Sequence, residues 1–378
     1  VSLSADGSII AVTAGNKEQI FENKDGLWSQ IGKTIEGYSG SNSIFTPSSK
    51  YSISLSDNGS IVAIGNPLIS VKNNIPNSYE RNGYFSLHEN INGTWTQVGN
   101  NFYGKAHNQL GSSIDISADG SIIAVGAFGN DYASVKIYKY KDGLLGKIGE
   151  ITHYQRGLSD DLSGYSISLS DDGSIIALGY PSQVTVYEKD SNDTWTKVGN
   201  VIRDEKVIGF GWSVRLSGDG STVAIGAQDA DYSEEAESYI SIYKNIHGIW
   251  SPIGNKIYGE LDGNIDGFTY QNYGYAVNLS QDGSIVAFGD PRNDDGGYNS
   301  GSIRLFEYKL SANYKFTTKS QLSEAINLWI SDEKLAAITY GDINTWDVSE
   351  ITDFSMLFYG KETFNSDIGD WDVSNGTD

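Results

Sequence analysis

The chain has 378 residues, with 26 Lys and Arg against 48 Asp and Glu, for a formal charge of -22. A phosphate backbone would be repelled by this balance, so nucleic acid is not an expected partner. Cysteine is absent, which removes disulfide, thiolate-metal and cysteine-nucleophile chemistry. Apolar runs such as IIAVGAF fall far short of the roughly 18 to 20 residues that a membrane-spanning helix needs, so no membrane insertion is expected.

In chain order, VSLSADGSIIAV opens at Val1 as one copy of a phrase, short of its first residue or two, and reads as a processed or truncated start. Fuller copies follow: YSISLSDNGSIVAIGNP from Tyr51, SSIDISADGSIIAVGAF from Ser112 and YSISLSDDGSIIALGYP from Tyr165. WSVRLSGDGSTVAIGAQ from Trp212 and YAVNLSQDGSIVAFGDP from Tyr275 complete the set. The turn glycines Gly7, Gly59, Gly120, Gly173, Gly220 and Gly283 lie 52, 61, 53, 47 and 63 residues apart. Six tandem units of this size indicate a repeat architecture.

Within a unit, Tyr165, Ile167 and Leu169 alternate with Ser, the period of a strand. SDDGS then supplies a turn whose Gly can take a positive φ, and IIALG follows as a second, buried strand. A third strand is read in VKIY from Val135, VTVY from Val184, ISIY from Ile240 and IRLF from Ile303. A fourth follows a further turn, in KDGLWSQIG, INGTWTQVG, KDGLLGKIG, SNDTWTKVG and IHGIWSPIG. Four antiparallel strands per unit of about 50 residues describe a propeller blade, which cannot bury both faces alone. The fold class expected is all-β, a propeller over residues 1–316 with six visible blades. Either the six close among themselves, with NYKFTT as the last strand, or a seventh lies upstream of Val1; six is preferred.

The recurring Trp28, Trp95, Trp195 and Trp250, with Leu145 in the same place, read as packing between blades in preference to a carbohydrate platform. From Phe316 the pattern changes. Residues 317–378 are expected to form a separate segment, in which Leu322, Ala325, Ile326 and Trp329 are spaced as a helix with Ser320 as N-cap. A second short helix is expected around Ser331, Glu333 and Lys334. INTWDVSEITDFSMLF and IGDWDVSNGTD then place Trp346 and Trp371 25 residues apart, a β-solenoid-like period.

On YGDINTWDVSEITDFSMLF and FNSDIGDWDVSN, the end of the chain resembles the BspA-like leucine-rich surface-protein repeat. The blade phrase, above all YGYAVNLSQDGSIVAFGDPRNDDGGYNSGSIRLFEY, is similar to FG-GAP-type repeats and to secreted propellers of marine microbes. The FG-GAP resemblance implies a calcium loop with Asp at alternate positions. Here the loop is shortened to forms such as SADGS and SDNGS, and that ligand set is not carried over.

Enzymatic signals are weak. The adjacent Asp6-Gly7 and Asp219-Gly220 do not have the spacing of a sialidase Asp-box. Arg81, Arg156, Arg203, Arg215, Arg292 and Arg304 share no blade position, and neither do His88, His107, His153 and His247. The chain is therefore read as non-enzymatic, with no cofactor expected beyond an optional calcium ion. Binding is expected in the loops between second and third strands, where Tyr132, Asp229, Asp231, Tyr232 and Tyr298 are candidate ligand contacts. Asp290, Asp294 and Asp295 are candidate calcium carboxylates. Sequons stand at Asn58, Asn92, Asn192, Asn278 and Asn375.

The resulting expectation is an extracellular, cell-surface or virion-surface module for adhesion or structural assembly. Its partner would be a protein or glycan surface, or a further copy of itself. The alternatives are a carbohydrate-binding or glycan-processing propeller, and a filament or virion-shell subunit.

Overall fold

The alternation of Ser with aliphatic residues, closed by an Asp-Gly turn, becomes six antiparallel sheets in the computed structural model. It describes residues 1–14, 17–36, 52–69, 81–128, 132–154, 166–207, 209–228, 238–246, 248–258, 276–290, 300–307, 314–331, 333, 336 and 340–377. Two compact units result, Val1–Phe306 and Glu307–Asp378. The first is the propeller, with six blades following the chain in a ring.

Blade 5 shows the plan. Gly209–Leu216, Thr222–Gln228, Tyr239–Ile246 and Ile249–Tyr258 pair antiparallel in that order. Blades 2, 3 and 4 repeat this order from Ser52, Leu110 and Ile167, and blade 1 from Ser2. Blade 6 has three described strands, Ala276–Leu279, Ile285–Asp290 and Ser302–Glu307. The short strands Ile35–Glu36 and Ile202–Arg203 pair with the third strands of blades 1 and 4. Outer hairpins turn on consecutive positive φ values, 52° at Asp25 and 84° at Gly26, and 53° at Asn92 and 82° at Gly93, matching the twist of the flanking strands.

The core lies between blades, and a separate apolar cluster fills each of the five successive interfaces. Ile61, Ala63, Phe85 and Leu87 of blade 2 meet Leu110, Ile114 and Ile116 of blade 3, for example. Some interfaces are closed by backbone on backbone: a Cβ on Gly179 would lie 2.1 Å from the Gly211 carbonyl oxygen of the next blade. Trp95, Trp195 and Trp250 do pack between blades, whereas Trp28 is 47% exposed. A Cβ on Gly32, Gly149 or Gly199 would strike Trp95, Trp195 or Trp250 of the following blade at 3.0 to 3.2 Å. Gly99 has open space at that position, and the blade after it carries Leu145 instead of Trp.

In the second unit, Lys319–Ser331 is helical and buries Leu322, Ala325, Ile326 and Trp329, as the spacing predicts. The cap is Thr318, whose Oγ1 accepts from Gln321 N at 3.3 Å, so Ser320 lies inside the helix. The expected second helix falls mostly outside the described residues. Among its described residues, NYKFTT does not pair with blade 6; Lys315 bridges to Asp347 instead. Tyr314 and Phe316 alternate as a strand would, but their rings pack with each other, Tyr340 and, for Phe316, Trp346. The WDVS repeats do stack as solenoid turns, without strands among the described residues. Trp346 and Trp371 lie 6.1 Å apart at 19°, and Asn344 and Asp370 exchange two hydrogen bonds of 2.9 Å.

Candidate functional site

The inner strands of a propeller converge on its axis, so a shared site would be built from their polar positions and from the turns that follow them. Each turn is a closed network. Ser4 Oγ donates to Asp6 Oδ1 at 2.7 Å, Asp6 Oδ1 accepts from Ser8 N at 2.9 Å, and Ile9 N donates to Ser4 Oγ at 2.9 Å. The same set recurs at Asp119, Asp172, Asp219 and Asp282. Asn58 performs it with an amide oxygen, accepting from Ser56 Oγ and Ser60 N. Donated hydrogen bonds hold Asp6 and Asp282 down to about 2, led by Ser8 N–H at the first and the Ser280 hydroxyl at the second. The repeated Ser-x-Asp-Gly-Ser is therefore a self-contained turn.

Neighbouring turns are also joined. Ala5 N donates to Asp57 O, Asp57 N to Ala118 O, Ala118 N to Asp171 O, Asp171 N to Gly218 O, and Gly218 N to Gln281 O, at 2.7 to 2.9 Å. One repeat position before each turn lies the row Ser2, Ser54, Asp115, Ser168, Arg215 and Asn278. Its Ser and Asp members stitch blades: Leu55 N donates to Ser2 Oγ, Leu169 N to Asp115 Oδ2 and Leu216 N to Ser168 Oγ. A guanidinium cannot accept, and after Arg215 the Leu279 N–H is satisfied by Asn278 Oδ1 of its own blade.

Among the described residues, Asp115 and Arg215 form the one ion pair that skips a blade, at 3.4 Å between Nη1 and Oδ2. Asp115 is 6% exposed and also accepts from Ser54 Oγ at 3.1 Å. Asp171 accepts from the Gln281 amide. Burial first, then the charge of Asp171, raise the Asp57 carboxyl, with Arg215 opposing. The group of Asp57, Asp115, Asp171 and Arg215 is thus acidic on balance, with Asp115 and Arg215 paired to each other. Sequence reading passed over Asp115 and Arg215. The available signal was their departure from Ser at one position of the repeat.

Among the described residues no three His, Cys, Asp or Glu side chains are grouped to hold a metal ion. His88 is buried against Ser86 Oγ at 3.1 Å, and burial pushes its imidazole down to about 4, so it is neutral at ordinary pH.

Residues 315–378 match the family described as "Mycoplasma protein of unknown function, DUF285". No curated protein matches the chain. Among solved structures, a candidate 6-phosphogluconolactonase from Bacteroides fragilis is 17% identical, with 68% of this chain and 70% of that one covered and a TM-score of 0.47. TolB from Acinetobacter baumannii is 12% identical over 80% of this chain and 62% of its own, with a TM-score of 0.45. A protein from Lactobacillus plantarum is 14% identical over 81% and 87%, with a TM-score of 0.48.

Of the loop residues singled out from sequence, Asp229, Asp231, Tyr232, Tyr298, Asp294 and Asp295 lie outside the described residues. Tyr132 begins the third strand of blade 3, opposite Tyr154, and Asp290 ends the second strand of blade 6. Asn58 and Asn92 sit exposed in turns, and Asn375 donates its amide to Ser349 O at 2.7 Å.

Proposed function

We propose that the chain is a non-enzymatic propeller module acting at an exterior surface, by adhesion or structural association through its variable loops. One observation carries this reading. The inner-strand side chains that converge on the axis are engaged in holding blades together: Ser2, Asp115 and Ser168 accept backbone N–H groups of the next blade, and Arg215 is paired with Asp115. A ring rigidified in this way suits display, since binding residues work best on loops held by a stiff scaffold. The C-terminal unit, stacking turn on turn through Trp346 and Trp371, suits a repeat extension carrying the ring. The partner is a protein or glycan surface or another copy of the chain, with calcium at Asp290, Asp294 and Asp295 as an optional addition.

Protease shaving of intact source cells or particles, with the native protein followed by mass spectrometry, tests the location. Loss of propeller peptides without lysis supports the reading, and complete protection until lysis overturns it. Electron microscopy of the same material separates ordered assembly from isolated rings. Turnover of lactones or aryl glycosides by the purified protein would overturn the non-enzymatic assignment.

A further inference from the structure

The five blade interfaces obey one rule. The turn glycine of each blade sits on a side chain of the blade before it: a Cβ on Gly59, Gly120, Gly173 or Gly220 would lie 2.5 to 2.7 Å from Ile9, Ile61, Ile122 or Ile175, and Gly283 faces Thr222 at 3.3 Å. Continued once more, the rule would place Gly7 on Ile285. Gly7 instead has nothing within 4 Å, and Ile285 is 42% exposed. The turn-to-turn hydrogen bonds stop at the same place. They run from Ala5 to Gln281, and no bond joins Gln281 N to Ala5 O among the described residues.

Both flanking faces are bare. In blades 3 and 5 the third-strand pairs Val135 and Ile137, and Ile240 and Ile242, are at most 6% exposed, whereas the equivalent Ile303 and Leu305 of blade 6 are 81% and 71% exposed. Leu55, Ile116, Leu169, Leu216 and Leu279 are 3 to 7% exposed, whereas Leu3 in blade 1 is 55% exposed. Trp28 is 47% exposed and Trp250 only 3%. Among the described residues of the propeller, blade 6 thus lacks a following neighbour and blade 1 a preceding one, each with the apolar pattern that such a neighbour covers at the other seams.

We infer that this seam receives one further blade of the same repeat, contributed by the same polypeptide beyond the 378 residues. The occupant is specified by the faces themselves. It must offer a turn glycine and a Leu to Ile285 and the blade 6 face, and a third-strand aliphatic pair and a flat glycine to Leu3 and Trp28. The repeat unit carries all of these. A second six-bladed copy in the same seam would give twelve blades, beyond the four to eight of propellers. A seventh blade ends the ring within that range and joins Gln281 N and Ala5 O through one more turn.

The test compares the 378-residue chain with the natural polypeptide translated from the first codon of its reading frame, by hydrogen exchange and melting. In the longer polypeptide, strand Ser302–Glu307 should be protected at least tenfold more, and Ile303→Asp and Leu3→Asp should each lower Tm by about 5 °C or more. In the 378-residue chain the same substitutions should move Tm by under about 1 °C, which also shows that the variants fold. Equal exchange in both proteins with silent substitutions in both overturns the inference. So does a reading frame with no further copy of the repeat, or sedimentation as a dimer that Ile303→Asp dissociates, which would assign the seam to a second chain.

Discussion

The propeller and the C-terminal unit both stack copies of a short phrase, yet they are held by different means. Blade seams combine aliphatic side chains and glycines where backbones approach, with hydrogen bonds between turns and, in three of the five, a Trp at the outer end. The C-terminal unit has an aromatic centre in which Trp346 touches Phe316, Trp329, Tyr340 and Trp371. Propeller stability is therefore spread over many small contacts, whereas that of the second unit is concentrated on one indole.

Substitution at that indole is the most severe test of the contrast. Trp346 is 2% exposed and donates Nε1–H to Gly341 O at 3.0 Å, so Trp346→Ala should cost about 4 to 5 kcal/mol. Limited proteolysis with thermal melting should show the C-terminal unit lost while the propeller transition stays. A parallel fall of both transitions would mean that the two units do not differ as described.

Next in size, Trp250→Ala should cost about 3 kcal/mol, because it removes a buried indole and its 3.2 Å bond to Val198 O. Trp28→Ala, at the same repeat position but half exposed in the 378-residue chain, should cost under about 1 kcal/mol in chemical denaturation. Equal effects would break the link between seam and stability.

Glu18 sharpens the comparison through pH. It holds a core position filled by Phe85, Val135, Val184 and Ile240 in other blades, is 1% exposed, and leaves Oε2 without a hydrogen-bond partner. Burial, with a lesser contribution from the charge of Glu36, raises its carboxyl from 4.5 to about 7. Its stabilising contribution is complete below the unfolded value of 4.5 and is lost as pH rises through about 7. Glu18→Gln should thus be near neutral at pH 4 and stabilise by about 2 kcal/mol at pH 8, read from denaturation midpoints.

The smallest expected effect is at the exposed turns. Asp6 and Asp282 are lowered from 3.8 to about 2, so their contribution is present above 3.8 and is lost as pH falls through about 2. The double variant Asp6→Asn, Asp282→Asn should melt slightly below the parent at pH 7, where that contribution is present, and show a shallower decline of Tm between pH 4 and 2. Asn58 is the natural precedent, since it forms the same turn without a titrating group.

The fold was legible because its period is local: Ser-aliphatic alternation, Asp-Gly turns and Trp spacing each act within a single unit. The packing role of Trp95, Trp195 and Trp250 followed from the same logic. The axial pair of Asp115 and Arg215 was not legible, because it joins residues 100 positions apart across loops of unrelated length. NYKFTT misled for a local reason, since aromatic alternation reads as a strand whether the rings face a sheet or a cluster. The loop candidates were chosen for variability, a property that carries no geometry.

The hydrogen bonds between successive turns all run in one sense, each blade donating to the one that follows it in the chain. Duplicating a unit in the gene inserts one donor and one acceptor at once, and deleting a unit removes one of each, so copy number can change without any compensating mutation. Arg215 and Gln281 are exceptions to this freedom. Their side chains reach two blades back, to Asp115 and Asp171, and so fix the order of the third to sixth units.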